Sequence, residues 1–448
     1  MKYKAYNSFN FNEIPRIRNV SESLRKEILI SSRVLPFKTN NYVTDFLIDW
    51  SKVPDDPIFL LNFPLKDMLQ PAHFREAARM VEGHYTEKQT VEILKKIYSE
   101  LNPHPAAQQH NVPVLDGKKL NGMQHKYRET VLIFPKQGQT CHAYCTFCFR
   151  WPQFMGISPL KFRTDEATLL ASYIKKNPAV TDVLFTGGDP MVMHASILRG
   201  YIDALLSADI PNLQTIRIGT KALAYWPFRF LTDPDSDELL HLFERIVKRG
   251  INLAIMSHFS HPAELQTTHV AEAIRKIRST GAQIRTQSPV LKHINDDPDV
   301  WAEMWRLQVN HNCIPYYMFI ARDTGAQHYF AVPLVKAWEI FRKAYQNVSG
   351  VCRTVRGPSM SCIPGKVQVL GVSEVTINGK KEKLFVMRML QGRNPDWVAR
   401  PFFAKYNPDA IWIDQLKPAF GEEKFFFEDE LEQMFKEELS EASFGDFE

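Results

Sequence analysis

Three cysteines within eight residues carry the most distinctive chemistry of this chain. Cys141, Cys145 and Cys148 follow an apolar run that predicts a β-strand, and their spacing is C-x3-C-x2-C. Thiolates ligate iron–sulfur clusters, and a four-iron cube usually takes four of them. Three ligands would therefore leave one iron open to bind a small molecule and pass it an electron. Phe147, directly before the last cysteine, is suited to shield such a cluster from water.

A zinc site and a disulfide framework are the alternative interpretations of these cysteines. His142 could be a fourth zinc ligand, but adjacent ligands on one loop do not easily share a tetrahedron, and no second C-x-x-C follows. Disulfide frameworks are typical of secreted chains with dispersed cysteines. The other cysteines, Cys313, Cys352 and Cys362, show no such pattern. The spacing thus favours an iron–sulfur cluster.

The composition predicts a globular protein of a reducing compartment. The chain has 448 residues, 44% of them hydrophobic, and a net charge of only +5, which gives no argument for a nucleic-acid partner. The first residues lack the apolar core of a signal peptide. No apolar run reaches the ~20 residues of a membrane helix. We therefore expect a cytoplasmic protein without membrane contact.

The order of predicted elements indicates an α/β fold with three regions. Residues 1–125 are predicted to be mainly helical, residues 126–330 to form a barrel, and residues 331–448 to hold a helix, a loop and an acidic amphipathic tail. The predicted strands are Val131–Pro135, Asp182–Thr186, Thr215–Gly219, Asn252–His258, Gln283–Leu291 and Ile314–Ile320, and helical patterns lie between them. Six β/α units in a row predict a parallel sheet with outer helices, here a partial (β/α)6 TIM-like barrel.

Polar clusters follow several of these strands. In β/α barrels the functional loops lie at the C-terminal strand ends, which is where Gly187-Gly188-Asp189, the Arg217–Thr220 turn and His258 are expected. The cysteine loop follows the first strand and belongs to the same face. A separate Gly/Pro-rich run ends in Lys366. A lysine held in such a loop could form a Schiff base with an aldehyde cofactor.

Together these motifs resemble the radical S-adenosylmethionine (SAM) enzymes and, within them, the lysine 2,3-aminomutase family. The similarity runs from about Leu35 to Gly371. The matching features are an Asp-Pro segment at Asp56, Tyr127, the cysteine loop with Arg150, the GGD loop, the R-I-G turn at Arg217, the H-F-x-H-P turn at His258, Gln287-Ser288, Pro315-Tyr316-Tyr317 and the glycine-preceded Lys366.

The resemblance implies a fold of the radical SAM type and a set of site residues. Three cysteines would ligate a [4Fe–4S] cluster, Lys366 would carry pyridoxal phosphate (PLP) with Tyr127 nearby, and Arg150 would pair with the substrate α-carboxylate. The implied SAM site consists of Gly187, Gly188, Asp189, Arg217, His258 and Gln287. The implied reaction moves an α-amino group to Cβ, which makes the chain an isomerase with an amino acid substrate, an electron donor such as flavodoxin or ferredoxin, and a homodimeric or homotetrameric state.

Departures from the family concern the substrate. Lysine-specific members bind the substrate ε-ammonium with two aspartates, whose positions correspond here to Arg322, with Asp323 one residue later, and to Ser359. A guanidinium in place of a carboxylate reverses the electrostatic preference of a pocket. We therefore expect glutamate or another non-lysine amino acid. Three alternatives stay open. The first is a lysine 2,3-aminomutase in which Asp323 faces the substrate, and the second is a PLP-free radical SAM enzyme with a peptidyl or other substrate. The third is a non-catalytic iron–sulfur or zinc protein in which the cysteine loop is structural. The C-terminal zinc cysteines of the family have no counterpart.

Overall fold

The computed structural model describes residues 1–102, 108–155, 162–377 and 379–444. Its α-helices are α1 Glu22–Ser31, α2 Pro57–Asn62, α3 Pro71–Val81, α4 Glu87–Glu100, α5 Trp151–Phe154, α6 Ala167–Lys176, α7 Ala195–Ser207, α8 Ala222–Tyr225, α9 Ser236–Lys248, α10 Thr268–Ser279, α11 Pro298–Asn310, α12 Gln327–Phe330, α13 Leu334–Gln346 and α14 Glu428–Phe444. None of the helices in these ranges is long and apolar enough to span a bilayer.

The strands form one large sheet and two small ones. They are β1 Ala5–Asn7, β2 Lys38–Asn40, β3 Val114–Leu115, β4 Lys118–Lys119, β5 Met123–Tyr127, β6 Thr130–Ile133, β7 Asp182–Phe185, β8 Thr215–Thr220, β9 Asn252–His258, β10 Gln283–Val290, β11 Ile314–Ile320, β12 Arg356–Ser361, β13 Gly365–Ile377, β14 Lys380–Gly392 and β15 Pro401–Lys405. The large sheet is ordered consecutively from β5 to β15, while β1 pairs with β2 and β3 with β4.

The centre of the large sheet is the predicted partial barrel. Strands β6 to β11 are all parallel, and helices α6, α7, α9, α10 and α11 connect them in turn. The predicted strands agree with the observed ones to within one or two residues. The expectation of an α/β fold with a six-unit partial barrel is therefore confirmed.

Local sequence explains why these helices form and how they pack. In α9 the acidic Asp237 and Glu238 lie in the first turn and basic residues in the last, which suits the helix dipole. Its apolar residues recur at helical spacing and are buried, including Leu239, Leu242 and Phe243. This pattern is why a helix forms here with one face turned toward the sheet.

The C-terminal region extends the sheet, which the sequence analysis did not predict. Strand β12 pairs in parallel with β11, and β13, β14 and β15 continue antiparallel. Lys366, expected in a loop, is the second residue of β13, and only the turn before it is loop. It pairs with Ser361 on β12 and Gln391 on β14. The predicted boundaries at residues 125 and 330 stay predictions, because the sheet runs across both.

The described residues form two apolar cores, one at the barrel and one under the C-terminal strands. The first joins the barrel to the N-terminal region. The second is formed by strands β11 to β15 with α11, α13 and the residues around α14, including Phe402, Phe425 and Phe427. Leu431 and Met434 of α14 pack against this second core. The predicted amphipathic tail thus caps the body of its own chain.

Candidate active site

One cavity of about 340 Å³ lies at the C-terminal ends of the barrel strands. It collects most of the predicted site residues, although they come from seven separate stretches of chain. Its wall includes Cys141, Cys145, Cys148, Arg150, Gly187, Gly188, Asp189, Arg217, His258, Gln287, Arg322 and Lys366. Such a volume is ordinary for a small-molecule site.

The three cysteine thiols are unpaired and line this cavity. Burial raises the pKa of each thiol, that of Cys145 to about 12. Neighbouring cysteine sulfurs add to this shift at Cys141 and Cys145. A different basic residue opposes this effect at each position: Lys38 at Cys141, Lys221 at Cys145 and Arg150 at Cys148. Thiolates at these buried positions would therefore need a bound cation to balance their negative charge.

The loop after β7 packs against the segment that leads into the cysteines. Gly187 has a φ of +146°, a conformation that favours glycine. A Cβ at Gly188 would overlap the carbonyl oxygen of Thr140, and the Asp189 N–H donates to that same oxygen at 2.7 Å. These glycines thus let the loop approach the backbone of Thr140, directly before Cys141.

Asp189 lines the cavity, but its carboxylate is engaged within the protein. Its oxygens accept hydrogen bonds from the Thr220 hydroxyl (2.7 and 2.9 Å), the Lys221 N–H (2.9 Å) and the Met191 N–H (2.9 Å). Burial raises its pKa to about 6. Asp189 ties the end of β7 to the end of β8, and only the rest of the loop is left to meet a ligand.

His258 stacks against the shielding aromatic ring predicted beside the cysteines. The imidazole lies 5.7 Å from the Phe147 ring with 25° between the planes. Burial, and then the charge of Lys221, lower the pKa of His258 well below its usual range, so the ring is neutral. Lys221 itself forms a buried ion pair with Glu264 at 2.7 Å. Gln287 pairs in register with His258 on the neighbouring strand.

Lys366 lines the same cavity in an aromatic setting. Its Nζ is 4.2 Å from the centre of the Tyr317 ring and donates to the Gln391 side-chain oxygen at 3.1 Å. Burial first, and the charge of Arg217 second, lower its pKa to about 7. A substantial fraction of the amine is therefore neutral near pH 7, which is what a nucleophilic lysine requires.

Arg217 belongs to this lysine end of the cavity. Its guanidinium grips Asp182 through two hydrogen bonds, the Nε one at 2.8 Å, and its charge acts on Lys366. The resemblance to the family implies that Arg217 belongs to the SAM site. That assignment stays a prediction, but the side chain is engaged by Asp182.

Two guanidinium groups flank one aromatic ring at the cavity wall. Arg150 lies 5.0 Å and Arg322 5.2 Å from the centre of the Phe149 ring. Burial lowers the pKa of Arg150 to about 10, and Arg322 contributes to this shift. The Nε of Arg322 is buried without a hydrogen-bond partner. An unpaired buried donor next to a second cation indicates an anionic ligand.

Some predicted residues lie off this cavity. Asp323 lines a second, mainly apolar cavity of about 370 Å³ beside α14, which shares Arg322 with the first. Tyr127 is not on either wall, although the thiol of Cys362 and the hydroxyl of Tyr317 act on its pKa, which burial raises. Ser361, rather than Ser359, reaches the cavity from β12.

Sequence reasoning missed several basic residues near the site. Lys126 donates to the Cys362 carbonyl, and burial lowers its pKa to about 7. It directly precedes the predicted Tyr127, so its position in β5 was a usable signal. Lys221 follows the R-I-G-T turn and could have been found in the same way. Lys38 is about a hundred residues from the cysteines, and no pattern linked it to them.

The side chains present fit the cofactors that the resemblance implies. Three thiols that share a cavity and have adjacent cations suit an iron–sulfur cluster. Lys366, with its lowered pKa, suits an aldehyde cofactor. His142, the possible zinc ligand, packs edge-on to Tyr3, and burial lowers its pKa to about 3. In the described ranges no three His, Cys, Asp or Glu side chains converge on one metal ion.

Comparison with known proteins gives clear sequence relatives. A protein of Aquifex aeolicus (strain VF5), provisionally named L-lysine 2,3-aminomutase, is 30% identical over 409 residues, which covers 91% of this chain and 95% of the relative. The L-lysine 2,3-aminomutase of Bacillus subtilis (strain 168) is 26% identical over 339 residues, 76% of this chain and 62% of that protein. No family model matches the chain.

Similarity to solved structures is lower. A radical SAM methyltransferase from Sphaerobacter thermophilus has 15% identity and a TM-score of 0.37, over 53% of this chain and 68% of that one. The assignment therefore rests on the sequence relatives and on the site itself.

A partial barrel with a three-cysteine loop after its first strand defines a radical SAM enzyme. Within that class, the chain belongs to the lysine 2,3-aminomutase family. It is therefore an isomerase of the aminomutase type, and a [4Fe–4S] cluster, SAM and PLP are the cofactors of its family. The resemblance inferred from the sequence is confirmed.

Proposed function

We propose that this chain is a radical SAM, PLP-dependent amino acid 2,3-aminomutase whose substrate is glutamate or another non-lysine amino acid. The observation that carries the proposal is the pair of guanidiniums, Arg150 and Arg322, that both lie close to the Phe149 ring on the cavity wall. A substrate with two carboxylates would satisfy both. Arginine suits this task because its planar fork matches a carboxylate.

The cofactors and the protein have separate tasks in this proposal. When bound, the cluster and SAM supply a carbon radical that removes a hydrogen from the substrate, and PLP supplies a ring that stabilises the substrate radical. Cys141, Cys145 and Cys148 hold the cluster, while Phe147 and His258 exclude water beside it. Lys366 provides a neutral amine for the PLP aldehyde. Lys126, a buried amine that donates to the Cys362 carbonyl, is our candidate for binding the cofactor's anionic group, because a bound anion would stabilise its charged form.

Positioning decides which carbon meets the radical. Arg150 follows the last cysteine by two residues, so a carboxylate bound to it lies next to the cluster. Lys366 lines the same cavity from β13. With both cofactors bound, a substrate held by these two side chains would have its amino-bearing end near them, and about an ångström of misplacement would slow the reaction strongly.

The charges of the cavity wall favour an acidic substrate over lysine. Asp189 is the one acidic side chain among the described residues of that wall, and its oxygens are already engaged. The ε-ammonium of lysine would find no carboxylate there. Asp323 faces the neighbouring cavity instead. An ammonium beside Arg322 would be repelled and left unpaired.

Partners and location belong to the same proposal. We infer a single-electron donor of the flavodoxin or ferredoxin kind, a homodimer or homotetramer, and the cytoplasm. The six unpaired cysteines support a reducing compartment.

The proposal is tested by anaerobic reconstitution with iron, sulfide, SAM, PLP and a reductant, followed by incubation with single amino acids. We expect mass spectrometry to detect the β-isomer of glutamate or of another non-lysine amino acid, and none of lysine. Arg322→Gln should raise KM for the accepted acidic substrate on the order of 100-fold, because one desolvated partner of a charge pair is lost. Arg342→Gln, at an exposed arginine of α13, is the matched control and should leave KM unchanged.

Other outcomes have definite meanings. Turnover of lysine alone would contradict the substrate assignment and point to Asp323. Release of 5′-deoxyadenosine without any amino acid isomer would contradict the aminomutase proposal and favour a PLP-free enzyme with another substrate.

A further inference from the structure

The N-terminal segment holds the backbone of the cysteine loop. Its contacts are Tyr3 Oη and Asn40 Nδ2 to the His142 carbonyl (2.6 and 3.2 Å), the Tyr144 N–H to the Lys38 carbonyl (2.7 Å), and the Thr146 N–H and hydroxyl to the Leu61 and Leu60 carbonyls (3.0 and 2.7 Å). Strand β2 lies at the centre of this set. The loop geometry therefore depends on residues outside the barrel.

Lys38 on β2 also brings a charge to the loop. Its Nζ donates to the Cys141 carbonyl at 2.7 Å and to the Thr140 hydroxyl at 3.4 Å, and lies 5.7 Å from the Tyr144 ring centre. In the described part of the chain no carboxylate pairs with it. Burial lowers its pKa, and the charge of Cys141 acts in the opposite direction.

The other two cations near the cysteines are differently placed. Lys221 is paired with buried Glu264 at 2.7 Å, so its charge is largely neutralised. Arg150 lies on the wall beside Arg322, where an anionic substrate is proposed to bind. Lys38 is thus the basic residue whose charge is compensated neither by a carboxylate nor by a bound substrate.

We propose, on the basis of the function proposed above, that Lys38 is a positioning residue of the cluster site that fixes the Cys141 end of the loop and stabilises the reduced cluster. A thiolate-ligated cluster becomes more negative when it takes up an electron. A fixed cation in a water-poor setting favours that state. The N-terminal segment is therefore part of the redox centre.

The test measures the midpoint potential of the reconstituted cluster in the full chain. Electron paramagnetic resonance reports the amount of reduced cluster at each potential. Lys38→Met removes the charge and the hydrogen bonds, Lys38→Gln keeps a donor without charge, and Lys38→Arg keeps both. We expect Lys38→Met and Lys38→Gln to lower the equilibrium constant for cluster reduction on the order of tenfold. This corresponds to a midpoint potential lower by about 59 mV for one electron. Arg should restore the wild-type value. Lys26→Met, at an exposed lysine of α1, should have no effect.

Iron content and SAM affinity are measured on the same samples. If Lys38→Met lost its cluster, Lys38→Gln would carry the measurement. A midpoint potential unchanged in Lys38→Gln with a full cluster would overturn the inference and leave the aminomutase proposal intact. A wild-type protein that binds no cluster at all would overturn both.

Discussion

At the scale of single residues, the site depends on burial that changes ordinary side chains into reactive ones. Lys366 and Lys126 both have pKa values lowered to about 7 by burial, although one is on β13 and the other on β5. Residue type and spacing indicated Lys366, because a family motif marks it. Nothing in the sequence indicated how strongly either amine is desolvated, since that depends on strands which meet only in the fold.

The lowered pKa of Lys366 predicts the pH dependence of PLP binding. The folded-state pKa lies below the ordinary 10.5, so the neutral amine increases as pH rises through about 7 and is nearly complete above about 8. The rate of Schiff base formation after mixing apoprotein with PLP should follow that curve. Stopped-flow absorbance measures it. A rate that still increases up to about pH 10 would contradict the shift.

Variants separate the two buried lysines. Lys366→Ala should abolish the Schiff base absorbance, whereas Lys126→Met should retain it and weaken PLP binding. Absorbance that persists in Lys366→Ala would remove this lysine from its assigned role.

At the scale of elements, agreement between prediction and structure follows apolar patterning. Strands β6 to β11 are short apolar runs between helices with a clear apolar face, and such runs were predicted to within one or two residues. Strand β12 was missed because it is polar and interrupted, as in Arg356-Gly357-Pro358-Ser359. The inner half of β14 is apolar and largely buried, as in Leu384-Phe385-Val386-Met387, so this run was a usable signal that the strand prediction did not include. The outer half of β13 and β14 is exposed, so it carries no apolar signal. The pairing of these exposed halves is determined by the fold and not by a local sequence pattern.

The loop after β7 gives a prediction at this scale. Gly188→Ala would force its Cβ onto the Thr140 backbone, so the segment before Cys141 must shift. We expect the free energy of unfolding to fall by about 1–3 kcal/mol, together with lower iron content after reconstitution. Gly200→Ala is the control, because its Cβ would meet no atom within 4 Å and it lies in α7. That change should stabilise the protein by up to about 1 kcal/mol. Equal iron content in wild type and Gly188→Ala would contradict the close packing.

At the scale of the whole molecule, two apolar cores share one sheet. The first supports the barrel and the cysteine loop, and the second supports the strands that carry Lys366. The sequence predicted the barrel and an acidic amphipathic tail, without deciding whether the tail packs on its own chain or on a partner subunit. The second core could not be predicted, because it is assembled from β11 to β15, of which four strands went unrecognised.

The second core should be separable from the cluster site by mutation. Phe427 is 3% exposed and packs with Trp397, Phe402 and Phe425. Phe427→Ala should cost about 3–5 kcal/mol of stability and make α14 sensitive to protease, while iron content stays near the wild-type level. Phe9→Ala, at a 92% exposed ring, is the control and should be nearly neutral. Loss of iron in parallel with loosening of α14 would contradict this independence.

The pairing of Lys366 with Ser361 and Gln391 has a consequence for how related sequences can vary. Side chains alternate along a strand, so a shift of one residue turns every side chain to the other face. A single insertion or deletion between residues 361 and 366 would therefore aim the amine out of the barrel, unless a bulge absorbed it. Gain or loss of residues at the far, solvent-exposed end of the β13–β14 hairpin leaves the pairing near Lys366 untouched. Among descendants of this chain, length variation should accumulate at that end, and the four residues before the lysine should keep their number even where their identities change.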